Sequence, residues 1–216
     1  MTTSALRFPR ARIAVFAKAP VPGRVKTRLA QRLGTNAAAA AYRAMLRERM
    51  VTLAEAALAP LELWATPHPH PFLRSLARRC GARLRVQPKG DLGGRMAAVL
   101  AGGDPCAIIG GDCAGLPAST VGDALAALDA GERVVISPAR DGGYTMVAMR
   151  HPPRAMFQRM PWGRAVVMAE TRRRLARSGI RPRELASSWD VDDYADWRRW
   201  RRQRLAFGSC TRGPYC

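Results

Sequence analysis

Apolar positions in this chain fall into short, nearly unbroken runs separated by stretches with helical spacing. RIAVFA (12–17), LELWA (61–65), RLRVQ (83–87), CAIIG (106–110), RVVIS (133–137) and YTMVAM (144–149) are too short for helices. Such runs predict strands, the first of them buried. Helical spacing predicts helices at 25–33, 36–58, 72–80, 92–101, 118–130, 164–177 and 193–206. Asn36 is placed to cap the second helix and Pro60 to end it. Residues 207–216 read as a flexible, frayed tail. Alternating strands and helices predict an α/β class with right-handed βαβ units and a mostly parallel central sheet. No repeat or linker divides the chain, so residues 1–206 are expected to form one nucleotide-binding domain.

Composition narrows the picture. Hydrophobic residues make up 48% of 216, which excludes wholesale disorder. No stretch of membrane-spanning length is apolar throughout, so no membrane partner is expected. The start lacks the pattern of a secretory signal, and a cytoplasmic location follows as an expectation. Five cysteines, an odd number without CxxC spacing, read as free thiols of a reducing cytosol. His68 and His70 are flanked by prolines and far from any cysteine cluster, which argues against zinc. The formal charge is +20, nearly all from arginine spread along the chain. Only Arg198–Arg204 is dense. A nucleic-acid partner would explain the charge, but the motifs agree better with an anionic small molecule.

Four segments carry candidate chemistry. Lys18–Arg28 (KAPVPGRVKTR) follows the first strand. Its prolines stiffen the turn, Gly23 permits a left-handed or close backbone, and Arg24, Lys26 and Arg28 crowd the start of a helix. Cations there oppose the helix dipole, which makes sense if an anion is bound; the alternative is a basic surface turn. Asp112 ends the apolar strand CAIIG, where open α/β sheets bind ligands and where a carboxylate suits Mg²⁺ or Mn²⁺; equally, it caps the helix near 118. Asp141 (ARDGGY) is either a turn residue or sits beside an acceptor. In WDVDD (189–193), Asp190 or Asp192 could complete a metal site with Asp112, or Asp192 or Asp193 could cap the last helix. Asp91-Leu-Gly93-Gly-Arg95 is a further loop-to-helix entry. There Asp91 is a natural cap, Gly93 and Gly94 would admit a base or sugar, and Arg95 adds a cation. Pro161-Trp162 shapes a pocket wall or simply packs.

In order, these segments resemble the bacterial DUF2064 proteins, glycosyltransferase-A-like members of the nucleotide-diphospho-sugar transferase superfamily. Some relatives are labelled arsenosugar-biosynthesis glycosyltransferases. The family pattern runs KAPVPGRVKTRL, QGDLGERM, GTDCPGL, P-x-x-DGGYY, PW and DVDTPEDL. This chain carries KAPVPGRVKTRL (18–29), KGDLGGRM (89–96), GGDCAGL (110–116), PARDGGYTMVAM (138–149), PW (161–162) and DVDDYADW (190–197). Gly94 replaces an acid, Gly111 and Ala114 replace Thr and Pro, and Asp193-Tyr194 replace Thr-Pro. The resemblance implies a three-layer α/β/α, Rossmann-like (GT-A) sheet. It also implies a donor nucleotide over the first loop, held by Lys18, Gly23, Arg24, Lys26, Asp91, Gly93 and Arg95. Asp112 and Asp192 would bind Mg²⁺ or Mn²⁺, with Asp112, Lys26 and Asp141 catalytic. The implied partners are a nucleotide sugar or nucleoside triphosphate and a small acceptor. Glycosyl and nucleotidyl transfer both remain open, and the competing class is a non-catalytic nucleotide- or nucleic-acid-binding protein.

Overall fold

The computed structural model describes residues 5–153 and 155–208. Its strands are β1 (Arg12–Lys18), β2 (Leu61–Thr66), β3 (Arg83–Val86), β4 (Cys106–Gly110), β5 (Val134–Pro138), β6 (Tyr144–Met149) and β7 (Arg183–Glu184). Its helices are α1 (Thr27–Leu33), α2 (Thr35–Glu55), α3 (Pro71–Arg79), α4 (Leu92–Leu100), α5 (Ala118–Asp129), α6 (Val167–Arg177) and α7 (Tyr194–Gly208). The strands form one seven-stranded sheet in the order β3-β2-β1-β4-β6-β5-β7.

Pairing is parallel from β3 through β4 and between β5 and β7. β6 runs antiparallel to both β4 and β5. The sheet is therefore mostly parallel, with one reversed strand where a short hairpin folds β6 back between β4 and β5. Alternation along β1 assigns the two faces. Ile13, Val15 and Ala17 join a core with Leu46 and Met50 of α2, Leu73 of α3 and Leu125 of α5. Ala14 joins a second core with Met96 and Val99 of α4 and Met168 and Leu175 of α6. The result is an α/β/α sandwich, as the family resemblance implies, built on the mostly parallel sheet that the strand–helix alternation predicts.

Several local expectations need correction. The second helix starts at Thr35 and is preceded by Gly34 at φ +79°, so Asn36 lies inside the helix and does not cap it. β7, two residues long, carries no apolar run and is not visible in the hydrophobic pattern. The last helix extends to Gly208, past the expected tail boundary at 207; residues 209–216 lie outside the described residues. Among the described residues Cys80, Cys106 and Cys113 are free. Burial pushes the Cys106 thiol up to about 12 and raises Cys113 as well, so neither is a ready nucleophile. No helix of the described chain is long and apolar enough to cross a membrane.

Candidate active site

The carboxyl ends of β1, β2 and β4 open onto a cleft of about 570 Å³, lined by Lys18, Lys26, Arg28, Tyr42, Thr66, Gln87, Arg95, Asp112, Asp141 and Asp192 among others. This is where an open α/β sheet offers loops and helix starts to a ligand. A hollow of about 680 Å³ beside α6 and β7 is larger, but its lining brings together no comparable set of acids.

The first loop builds the cationic wall. Gly23 takes φ +77° and Lys26 takes φ 48°, ψ 49°, a left-handed conformation that is uncommon for a residue with a side chain. That geometry turns the lysine inward, and its side chain is only 6% exposed. Nζ lies 2.5 Å from Asp112 Oδ2 and 3.0 Å from Asp192 Oδ1. Burial alone lowers the ammonium's pKa, but the two carboxylates outweigh it and raise the pKa. Lys18 is fixed through its backbone N–H, which donates to the Tyr42 hydroxyl at 2.9 Å. Arg95 donates through Nε to the Gly90 carbonyl at 2.8 Å, and its Nη1 reaches Gln87 Oε1 at 3.4 Å and Thr66 Oγ1 at 3.5 Å.

The acidic wall depends on the segment that enters α7. This segment passes between two loops and is stitched to both. Ser188 N–H donates to Pro138 O and Arg140 N–H to Ser188 O; on the other side Gly115 N–H donates to Trp189 O and Val191 N–H to Asp112 O. Asp190 is thereby held near both Asp141 and Asp112. Oxygens of Asp141, Asp190 and Asp192 lie within 4.8 Å of one another. Partial burial pushes the Asp190 carboxyl up to about 7, with the Asp192 and Asp112 charges adding to the effect and Lys26 opposing it.

Several open alternatives are now decided by geometry. Asp193 Oδ1 accepts from the N–H groups of Ala195 (2.8 Å) and Asp196 (3.0 Å), while Asp196 Oδ2 accepts from those of Asp192 (3.1 Å) and Asp193 (3.3 Å). This reciprocal pair caps α7 and leaves the Asp192 carboxylate to the cleft. Asp112 does not cap α5, which starts after Pro117 without a side-chain cap bond. Asp141 is both turn and cleft residue: Oδ1 accepts from Gly143 N–H at 3.0 Å while the side chain lines the cleft.

Other candidates fall elsewhere. Gly23 and Arg24 are exposed and outside the cleft lining. Asp91 caps α4 through a 2.8 Å bond from Gly94 N–H. Gly93 is buried, and a Cβ there would meet Phe157 Cβ at 3.0 Å and Trp162 Cζ2 at 3.1 Å, so its bare Cα admits the Pro-Trp loop. Gly111 likewise faces protein, with Leu46 of α2 and the Phe16 carbonyl in close contact. Tyr42, Thr66 and Gln87 escape the sequence reading. The last two lie at or just past strand ends, the one signal that points to them. The arginine-rich run is largely engaged in packing: Arg199 stacks over Trp189 (4.3 Å), Arg201 over Trp197 (4.9 Å) and Arg204 over Trp200 (4.9 Å).

Residues 46–164, just over half of the chain, match the model of a family described as uncharacterized proteins conserved in bacteria, DUF2064. The chain belongs to the DUF2064 family. A candidate nucleotide-diphospho-sugar transferase from Desulfovibrio desulfuricans G20 shares 26% identity at TM-score 0.79, over 92% of this chain and 96% of that one. The fold extends to CMP:2-keto-3-deoxy-manno-octonic acid synthetase in complex with CTP, at 15% identity and TM-score 0.52 over 92% and 99% of the two chains. It extends also to the inositol-1-phosphate CTP transferase of T. maritima, at 9% identity and TM-score 0.54 over 99% of both. None of the curated proteins matches this chain.

Proposed function

We propose that this DUF2064 protein is a divalent-metal-dependent transferase with a nucleotide-activated donor, moving a glycosyl group from a nucleotide sugar to a small acceptor. One observation carries the reading: a single strand-end cleft is lined by Lys18, Lys26, Arg28 and Arg95 together with Asp112, Asp141 and Asp192. Its volume of about 570 Å³ falls in the usual range for small-ligand sites. The likeness to the D. desulfuricans protein supports the same donor class.

The donor set fits Mg²⁺ or Mn²⁺. Oxygen ligands suit these hard ions, and Asp141, Asp190 and Asp192 offer three within reach of one position. Burial is the main cause of the upward shift of Asp190, and the neighbouring Asp192 and Asp112 charges add to it. A divalent ion held by Asp112, Asp190 and Asp192 would neutralise charge gathering on the departing diphosphate, leaving Asp141 to the acceptor. The remaining work falls to the chain's own groups. Lys18, Lys26, Arg28 and Arg95 bind and orient the phosphates through charge-assisted hydrogen bonds. Thr66 and Gln87, next to Arg95, line the cleft beside them. Asp141 keeps Oδ2 free while Gly143 occupies Oδ1, so it can orient the acceptor hydroxyl and accept its proton.

Nucleotidyl transfer is the second reading, favoured by the fold shared with two CTP-using enzymes. Incubation with Mg²⁺ or Mn²⁺, a panel of nucleotide sugars and nucleoside triphosphates, and pooled small acceptors separates the two. Release of a nucleoside diphosphate supports glycosyl transfer, and pyrophosphate release supports nucleotidyl transfer. If nothing in the panel binds or turns over and nucleic acid is retained at physiological salt, the transferase reading fails and the charge of +20 gains a different meaning.

A further inference from the structure

We propose that Lys26 is a resident counter-ion of the metal site. It competes with a divalent cation for Asp112 and Asp192 until an anionic donor draws it away. The inference deepens the proposed function and rests on it.

Lys26 Nζ contacts both Asp112 Oδ2 and Asp192 Oδ1. Asp192 is also one of the three acids that could hold an ion. One carboxylate thus serves two cations, and the ammonium and a metal ion would lie within a carboxylate's width of each other. Against that repulsion the metal binds by displacing the lysine, which forfeits two ion pairs. That loss weakens metal binding to the ligand-free protein. A diphosphate changes the balance, because its oxygens replace the carboxylates as partners for the ammonium. The flexible four-carbon stem lets the charge swing without rebuilding the turn. Donor and metal then bind cooperatively, and by linkage each tightens the other by the same factor.

Lys26 is well placed for this exchange. It lines the cleft, so a phosphate entering there meets it directly. Its side chain is otherwise buried, so water offers the ammonium little compensation. Among the described residues it makes ion pairs with these two carboxylates alone. A purely structural lysine would have the same contacts but would predict the opposite response to its removal: fewer organised ligands, and weaker metal binding.

The test uses metal alone, with no donor needed. Mn²⁺ affinity is measured from the free-ion paramagnetic resonance signal for wild type and Lys26→Met, both checked for folding by circular dichroism. Lys26→Met is expected to bind Mn²⁺ roughly tenfold tighter or more, a shift in the usual range of site-to-site coupling. Equal or weaker binding overturns the proposal while leaving the metal site intact. Absence of Mn²⁺ binding in both folded proteins refutes the metal reading itself, and the proposal with it. If the variant does not fold, wild type decides. The chain has three lysines, Lys18, Lys26 and Lys89, so their ¹⁵N side-chain ammonium signals are readily assigned. The slowly exchanging Lys26 signal is expected to collapse as Mg²⁺ saturates the site, and its persistence at saturation overturns the proposal.

Discussion

Gly115→Ala is the substitution that best probes how the site is assembled. Gly115 lies in the loop after Asp112, directly against the indole of Trp189. A methyl group there would stand 2.9 Å from Trp189 Cγ and closer still to Cδ1 and Nε1. Carbon atoms prefer roughly 3.5–4.0 Å, so the ring or the loop must move by about an ångström. The ring has little freedom: Trp189 is 7% exposed and Arg199 covers it at 4.3 Å. If the loop yields, the cost is the usual ~1–3 kcal/mol of overpacking. If the indole is expelled, the loss approaches the burial of ~150–250 Å², or about 4–6 kcal/mol. Partial adjustment of both gives an expected loss of about 2–4 kcal/mol between these limits. For a chain of this size that lowers Tm by about 5–15 °C in a thermal melt. Because the same contact stitches the Asp112 loop to the segment bearing Asp190, Mn²⁺ affinity should fall as well. Adding Trp189→Phe to Gly115→Ala should recover part of the loss, since the smaller ring vacates the clash. A Tm within a degree of wild type for Gly115→Ala refutes the packing argument.

Two other perturbations follow from the same structure. Arg49 is buried and donates to the carbonyls of Cys113 and Leu116, so Arg49→Met should leave two loop acceptors unpaired; a loss of about 2–4 kcal/mol in urea melts is expected, with Mn²⁺ affinity reduced. Glu170 is held down at about 2 by hydrogen bonds from Arg173 and Arg174. Its folded pKa lies below its unfolded one, so its contribution is present above the ordinary value near 4.5 and is lost as pH falls towards 2. The Tm gap between wild type and Glu170→Gln should therefore narrow across that interval in pH-stepped melts.

Much of the architecture was legible because every strand but β7 falls in a short run with apolar positions and several helices carry a boundary signal. What escaped the pattern is what depends on partners distant in sequence. Nothing local in YTMVAM says that it inserts antiparallel between β4 and β5; the Asp141-Gly-Gly turn predicts a hairpin but not the strand's neighbour on the other side. Arg183–Glu184 pairs with β5 through backbone alone. Asn36 looked like a cap because its side chain suits one, yet Gly34 supplies the backbone turn first.

The candidate site shows the same division. Lys26, Asp112, Asp141 and Asp192 were legible as charges at strand ends and helix starts. Their mutual arrangement was not, since the lysine's inward turn depends on a left-handed backbone that only the folded loop displays. Asp190 stood as an equal alternative to Asp192 because both acids lie in one short segment. The capping pair of Asp193 and Asp196 leaves the Asp192 carboxylate to the cleft, with Asp190 close beside it. Gly93 read as an opening for a ligand, and it instead accommodates neighbouring protein, as Gly111 does. Glycines signal close approach without naming what approaches.

The central claim is that the lysine-bearing loop and the aspartate at the end of β4 serve one nucleotide diphosphate and one divalent ion. Calorimetric titration of wild type and Asp112→Asn with UDP, GDP, CDP and ADP, with and without Mn²⁺, tests it most directly. The account predicts Mn²⁺-dependent binding of at least one nucleotide at one site per chain, abolished in the variant. Binding that ignores both Mn²⁺ and the loss of the Asp112 charge would contradict it.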